Sequence, residues 1–114
     1  MKINSALIIE DEMDTCLLFK NYLSKKSDTV SFSVTLNDGI LKLKKLKPDL
    51  LILDHNLPDG HGIENIRQFK KGNSSLFVIV ISAMWNLKNS ALENAADFFM
   101  EKPLSFRKLN ELLA

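Results

Sequence analysis

One cysteine, one tryptophan and one tyrosine occur in 114 residues, and no apolar run approaches the roughly 20 residues that a membrane-spanning helix requires. The lone Cys16 cannot close an internal disulfide, which excludes a cross-linked scaffold and fits a reducing compartment. Met1-Lys2-Ile3-Asn4 leads into only a short apolar run, Ala6 to Ile9, before acids begin, so the apolar segment of a signal peptide is missing. Neither sign of charge dominates. Fifteen Lys and Arg face 14 Asp and Glu, a net charge of +1, which leaves no electrostatic footprint for nucleic acid and no polybasic segment for a lipid surface. The few glycines and prolines build no linker, repeat or low-complexity tract. These absences set the expectation of one cytoplasmic domain over residues 1–114, with no membrane association and no direct nucleic-acid binding.

What is present alternates. Short apolar runs at Ala6 to Ile9, Leu50 to Leu53 and Leu76 to Ile81 each end in polar or acidic residues, as buried parallel strands do. From Val30 to Leu36, apolar Val30, Phe32, Val34 and Leu36 alternate with Ser31, Ser33 and Thr35, the pattern of an edge strand with one wet face. A fifth strand is expected at Phe98 to Met100. Helical spacing fills the gaps: Met13, Cys16, Leu17, Phe19, Tyr22 and Leu23, then Ile40, Leu43 and Leu46 interleaved with Lys42, Lys44, Lys45 and Lys47 as a wet face. Further helices are expected over Gly62 to Lys71, Leu87 to Ala96 and Ser105 to Leu113, the last with Ser105 as N-cap. Five strand-and-helix repeats predict a doubly wound α/β fold, a five-stranded parallel sheet with helices on both faces.

In such sheets the ligand sits beyond the carboxyl ends of the strands. The residues found there are Glu10, Asp11 and Glu12 after the first strand, Asp54 after the third, Ser82 after the fourth and Lys102 after the fifth. A hydrophobic core needs none of them at that edge. Two carboxylates about 4 Å apart repel by roughly 4 kcal/mol at an effective dielectric near 20, so the cluster calls for a cation or for protonation. An all-oxygen donor set favours Mg²⁺ or Mn²⁺ over zinc.

The ordered set Leu7-Ile8-Ile9-Glu10-Asp11-Glu12, Pro48-Asp49-Leu50-Leu51-Ile52-Leu53-Asp54, Leu57-Pro58-Asp59-Gly60-His61-Gly62, Ile81-Ser82-Ala83 and Lys102-Pro103 resembles the receiver domains of two-component response regulators, over essentially the whole chain. The resemblance implies a flavodoxin-like strand order of 2-1-3-4-5. It implies Asp54 as phosphoacceptor, attacking a phosphohistidine as a carboxylate nucleophile. Glu10 and Asp11 would position Mg²⁺ together with Asp54 and the backbone carbonyl of Asn56. Lys102 would pair with a phosphoryl oxygen, its bond to Pro103 being cis. Ser82 and Phe99 would form the switch, Phe99 turning inward as Ser82 moves to the phosphate, and Met84 with Asn56 would tune the phosphoryl lifetime. The implied partners are a histidine kinase or histidine phosphotransfer protein and a second copy of the chain, meeting the face of helix 4, strand 5 and helix 5. The domain would be a signalling module and not an enzyme, catalysing only its own phosphorylation and dephosphorylation.

The chain departs from that pattern in places. It runs about two residues short between Ser82 and Lys102, carries Ala95 where a glycine is frequent, and has Phe98 and Trp85 where they would form an exposed apolar patch. His55 and His61 are expected to face solvent, and Cys16 to be a small apolar helix residue. Two other readings share the pattern: a receiver-like domain that works by constitutive contact, and an aspartyl-phosphate phosphatase of the haloacid dehalogenase type. The phosphatase usually has a second acid two residues after its nucleophile, where Asn56 stands.

Overall fold

The computed structural model describes residues 2–114. Its main sheet contains β1 (Ile3–Ile9), β2 (Ser27–Ser33), β3 (Leu50–Asp54), β4 (Phe77–Ser82) and β5 (Phe98–Glu101), all parallel, in the order β2-β1-β3-β4-β5. Helices α1 (Met13–Leu23), α2 (Leu36–Leu46), α3 (Ile66–Gly72), α4 (Lys88–Glu93) and α5 (Phe106–Leu113) connect and follow the strands. This is the doubly wound architecture expected from the alternation.

Successive strand residues point to opposite faces, and that period of two sorts the core into two layers. Leu7, Ile9, Leu51, Leu53, Val78, Val80 and Phe99 pack with Leu36, Ile66 and Ala91 beneath α2, α3 and α4. Ala6, Ile8, Leu50, Ile52, Ile79, Ile81 and Met100 pack with Cys16, Phe19, Leu23, Leu109 and Leu113 beneath α1 and α5. Every residue of β3 is buried, as a central strand covered on both sides must be. Gly39 lets α2 lie close on β1, because a Cβ there would fall on the Ile9 side chain. Among the described residues no helix is long and apolar enough to cross a membrane.

Several boundaries differ from the sequence reading. The second strand spans Ser27–Ser33 and ends before Val34, which is exposed. Thr35 is the N-cap of α2, its hydroxyl accepting from the Asp38 N–H at 3.2 Å, and Leu36 opens the helix. The Asp59 carboxylate, arriving from another loop, accepts from the Leu36 and Asn37 N–H groups at 2.7 and 2.8 Å. Those bonds give the helix its first-turn partners, and they outweigh an alternation that would have continued the strand. In α1 the buried residues are Cys16, Phe19 and Leu23, whereas Met13 and Leu17 lie on the outer face. Leu46 is likewise exposed at the end of α2. Lys42 does more than face water, since its ammonium caps the Phe32 carbonyl and pairs with Asp38.

The fourth helix is short. A 3-10 turn at Trp85–Leu87 leads into α4, which stops at Glu93 rather than continuing to Ala96. The Ala96 N–H donates to the Ala91 carbonyl and the Ala95 N–H to Leu92, the paired bonds of a Schellman ending. Ala95 sits in the left-handed region at φ 75, where a Cβ is unfavourable. Ala95→Gly should therefore stabilise the domain by about 1 kcal/mol, visible as a higher urea midpoint at unchanged slope; an equal or lower midpoint would contradict the strain.

Candidate functional site

The C-terminal ends of β1, β3, β4 and β5 bring together side chains far apart in sequence. Glu10 follows β1 and is fully buried, its N–H donating to the Ser33 carbonyl at 3.0 Å. Asp54 ends β3, buried at 5% exposure. Ser82 ends β4 at 1% exposure and accepts the Lys102 N–H on its carbonyl at 2.9 Å. That rung positions Lys102 just beyond β5, where the Lys102–Pro103 peptide is cis. Asp11 is exposed at the rim.

Lys102 Nζ stands among three acids. It is 3.0 Å from Glu10 Oε1, 3.4 Å from Glu12 Oε1 and 3.6 Å from Asp54 Oδ2. Burial alone would lower its pKa; the hydrogen bond to Glu10, the charges of Asp54 and Glu10 and the bond to Glu12 outweigh that, so the net shift is upward. The sequence reading assigned Glu12 no task. It occupies the N-cap position of α1 yet caps nothing there, and its carboxylate reaches Lys102 instead.

The cluster also has an open valence. Among the described residues Glu10 Oε2 is buried without a hydrogen-bond partner, a costly state for a carboxylate oxygen. Glu10, Asp11 and Asp54 each offer a ligand atom within 4.8 Å of the others. Three hard oxygen donors, one of them on the carboxyl with the unpartnered oxygen, suit a divalent cation. The acids at the opposite edge of the sheet differ: Asp49 accepts from the Asn4 and Ser5 N–H groups, and Asp97 from the Val78 N–H and Lys70. Those carboxylates are satisfied by the fold itself.

The rest of the rim is built by a small ribbon, Asn56–Leu57 against Gly60–His61. Leu57 is buried and anchors it. The ribbon closes over β3 at Gly62, where a Cβ would lie 2.6 Å from the Asp54 carbonyl oxygen, so only glycine fits. Asn56 is exposed, its Nδ2 3.7 Å from Met84 Sδ. His55 does not simply face solvent: its Nδ1 accepts from the Ile63 N–H at 3.3 Å and its ring stacks on His61 at 4.8 Å. Burial, then the neighbouring His61, lowers its pKa. Cys16 is buried, as expected, but its thiol also donates to the Glu10 carbonyl at 3.0 Å. Burial, followed by the charges of Glu10 and Asp11, pushes the thiol up to about 11.

Ser82 Oγ accepts from the Met84 N–H at 3.0 Å. Phe99 is already buried in the layer beneath α2, α3 and α4. Phe98 points to the other layer and is half-buried there, so it adds nothing to the exposed Trp85, whose side of the domain carries Met84 and Leu92 instead.

Desolvation, then the adjacent Asp54 carboxylate, raise the Glu10 pKa from its ordinary 4.5 to about 8 against the pull of Lys102. The folded state thus holds this proton more tightly than the unfolded chain. Glu10's contribution is complete below pH 4.5 and is lost as pH rises through about 8. In chelator, urea stability of the parent should fall between pH 5 and pH 8 by on the order of 2 kcal/mol more than that of Glu10→Gln. Parallel pH profiles for the two proteins would refute the raised pKa.

Comparison with known proteins agrees along the chain. The family model described as the response regulator receiver domain matches residues 6–114. The chain is 37% identical over 113 residues to the KDP operon transcriptional regulatory protein KdpE of Escherichia coli (strain K12), covering 97% of this chain and 50% of that protein. It is 28% identical over 110 residues to the chemotaxis protein CheY of Thermotoga maritima, covering 94% of this chain and 92% of that one. A CheY-like response regulator receiver domain from Methylobacillus flagellatus superposes with a TM-score of 0.85 at 25% identity, over 97% of this chain and 96% of that one. The chain therefore spans about half the length of KdpE and most of the chemotaxis protein. With a match that begins inside β1 and runs through α5, the protein belongs to the response regulator receiver domain family of phosphorelay signalling.

Proposed function

We propose that Asp54 accepts a phosphoryl group from the phosphohistidine of a histidine kinase or histidine phosphotransfer protein, in the cytoplasm, and that the aspartyl phosphate alters the surface of α4, β5 and α5. The observation that carries this reading is a buried carboxylate, Asp54, with Lys102 Nζ at 3.6 Å and two further acids in reach of one shared cation.

An Asp54 carboxylate oxygen forms the new O–P bond while the N–P bond of phosphohistidine breaks and its electron pair returns to the imidazole. Asp54 needs no general base, because a carboxylate is the nucleophile as it stands. Mg²⁺, or Mn²⁺ in its place, would be held by Glu10, Asp11, Asp54 and the backbone carbonyl of Asn56, and when bound supplies positive charge against the transferring oxygens. Lys102 leaves the exposed Glu12 to pair with a phosphoryl oxygen. Ser82 Oγ keeps its own proton free while accepting from Met84, and that proton turns to the phosphoryl group. Positioning and charge neutralisation are what phosphoryl transfer chiefly asks of a protein.

Two surfaces support partner contact. Thr15 and Leu18 of α1 line a pocket of about 310 Å³ with Lys102, Pro103, Leu104 and Phe106, and Met13 and Leu17 of the same helix are exposed. A kinase or phosphotransfer protein seated there would present its histidine beside Lys102. On the other side, Trp85 at 71% exposure with Met84 and Leu92 supplies an apolar face for an output partner or a second copy of the chain.

Incubation with phosphoramidate and Mg²⁺ should add one phosphoryl group by mass spectrometry, removed by alkali and by hydroxylamine as an acyl phosphate is, and none to Asp54→Asn. Lys102→Ala should slow labelling at least about tenfold at unchanged fold, the loss of one charge-stabilising group. An unlabelled wild-type protein that also fails to bind Mg²⁺, or an Asp54→Asn variant labelled as fast as wild type, would sink the proposal.

A further inference from the structure

We propose that the groove between α2 and α3 is a binding site for a small amphiphilic anion, an aromatic or medium-length acyl group carrying a carboxylate. The groove has a volume of about 430 Å³, within the roughly 300–1,000 Å³ of small-molecule sites. It lies toward the start of the strands, away from Asp54, since Lys47 and Gly72 precede β3 and β4.

Its floor is apolar. Ile40, Leu43 and Phe69 line it and stay half-buried, packed on the core from one side only. Gly72 ends α3 at the edge of this space, and an added Cβ there would meet nothing within 4 Å.

Its rim is polar, with the amides of Asn65, Gln68 and Asn73 and two lysines. Lys44 and Lys47 line the groove and make no ion pair among the described residues. Of the acids around α2 and α3, Asp38 pairs with Lys42, Asp97 with Lys70, Asp59 accepts from the first N–H groups of α2, and Glu64 lies 4.0 Å from His61. Lys47 even occupies a left-handed backbone position, φ 45, that glycine or asparagine fills at lower cost. An apolar floor with two unpaired ammonium groups at its edge matches a ligand that is apolar at one end and anionic at the other.

The test uses the full chain with 1-anilinonaphthalene-8-sulfonate as fluorescent probe and octanoate as competitor, at neutral pH and low salt. Binding should saturate at one probe per chain, shift the amide resonances of α2 and α3, and yield to octanoate but not to octanol at equal concentration. Gly72→Phe should weaken binding at least about tenfold, a loss of about 1.4 kcal/mol. The surface variant Lys44→Gln/Lys47→Gly should weaken it about fivefold, less in high salt, as exposed charge pairs do. Asp54→Asn should bind as wild type, so this site stands or falls apart from phosphorylation. Non-saturating binding, equal displacement by octanol, or unchanged affinity in the lysine variant would overturn the proposal.

Discussion

A single ammonium group, Lys102 Nζ, lies between carboxylates that would otherwise repel one another, and much of the C-terminal edge of the sheet is arranged around it. Two carboxylates at about 4 Å cost roughly 4 kcal/mol at an effective dielectric near 20, and Glu10 is shut away from the water that would ease this. One cation shared by three acids offsets only part of that repulsion. Burial first, and then the Asp54 carboxylate, keep a proton on Glu10 up to about pH 8, and one Glu10 oxygen has no partner among the described residues. The site is destabilised in a way that binding of further positive charge relieves.

That arrangement rests on the sheet. Two layers of apolar side chains hold β1, β3, β4 and β5 in register, and the same rungs that complete the strands place the site residues: Glu10 N–H on Ser33 and Lys102 N–H on Ser82. The opposite edge shows the contrast. Asp49 and Asp97 are spent on backbone N–H groups at the strand beginnings, where they close the ladder. Asp49 and Asp97 are satisfied by the fold at one end of the strands, whereas Glu10, Asp11 and Asp54 cluster at the other.

Much of this was readable before any coordinates. Unbroken apolar runs such as Leu50 to Leu53 admit few alternatives to a buried strand, and the acids, serine and lysine that follow the runs fall together at the carboxyl edge of the sheet. Other features were not readable because they depend on partners distant in sequence. Nothing local in Val30 to Leu36 tells that Asp59 will supply the first-turn acceptor of α2. Met13 and Leu17 satisfy helical spacing as well as Cys16 and Phe19 do, and only the position of the sheet decides which stripe of α1 is covered. Phe98 and Phe99 are adjacent and chemically alike, yet the pleat sends them to different layers.

The sequence by itself determined the alternation of strands and helices, and hence which side chains end each strand, because apolar periodicity is a short-range property of the chain. The tertiary structure decided how close those ends come and what each side chain then meets. The reach of Glu12 to Lys102, the orphaned oxygen of Glu10, the thiol of Cys16 behind it and the groove edged by Gly72 all follow from the packing of separate elements. Distances between strand ends are set by sheet order and layer packing, and no local pattern along one segment encodes them.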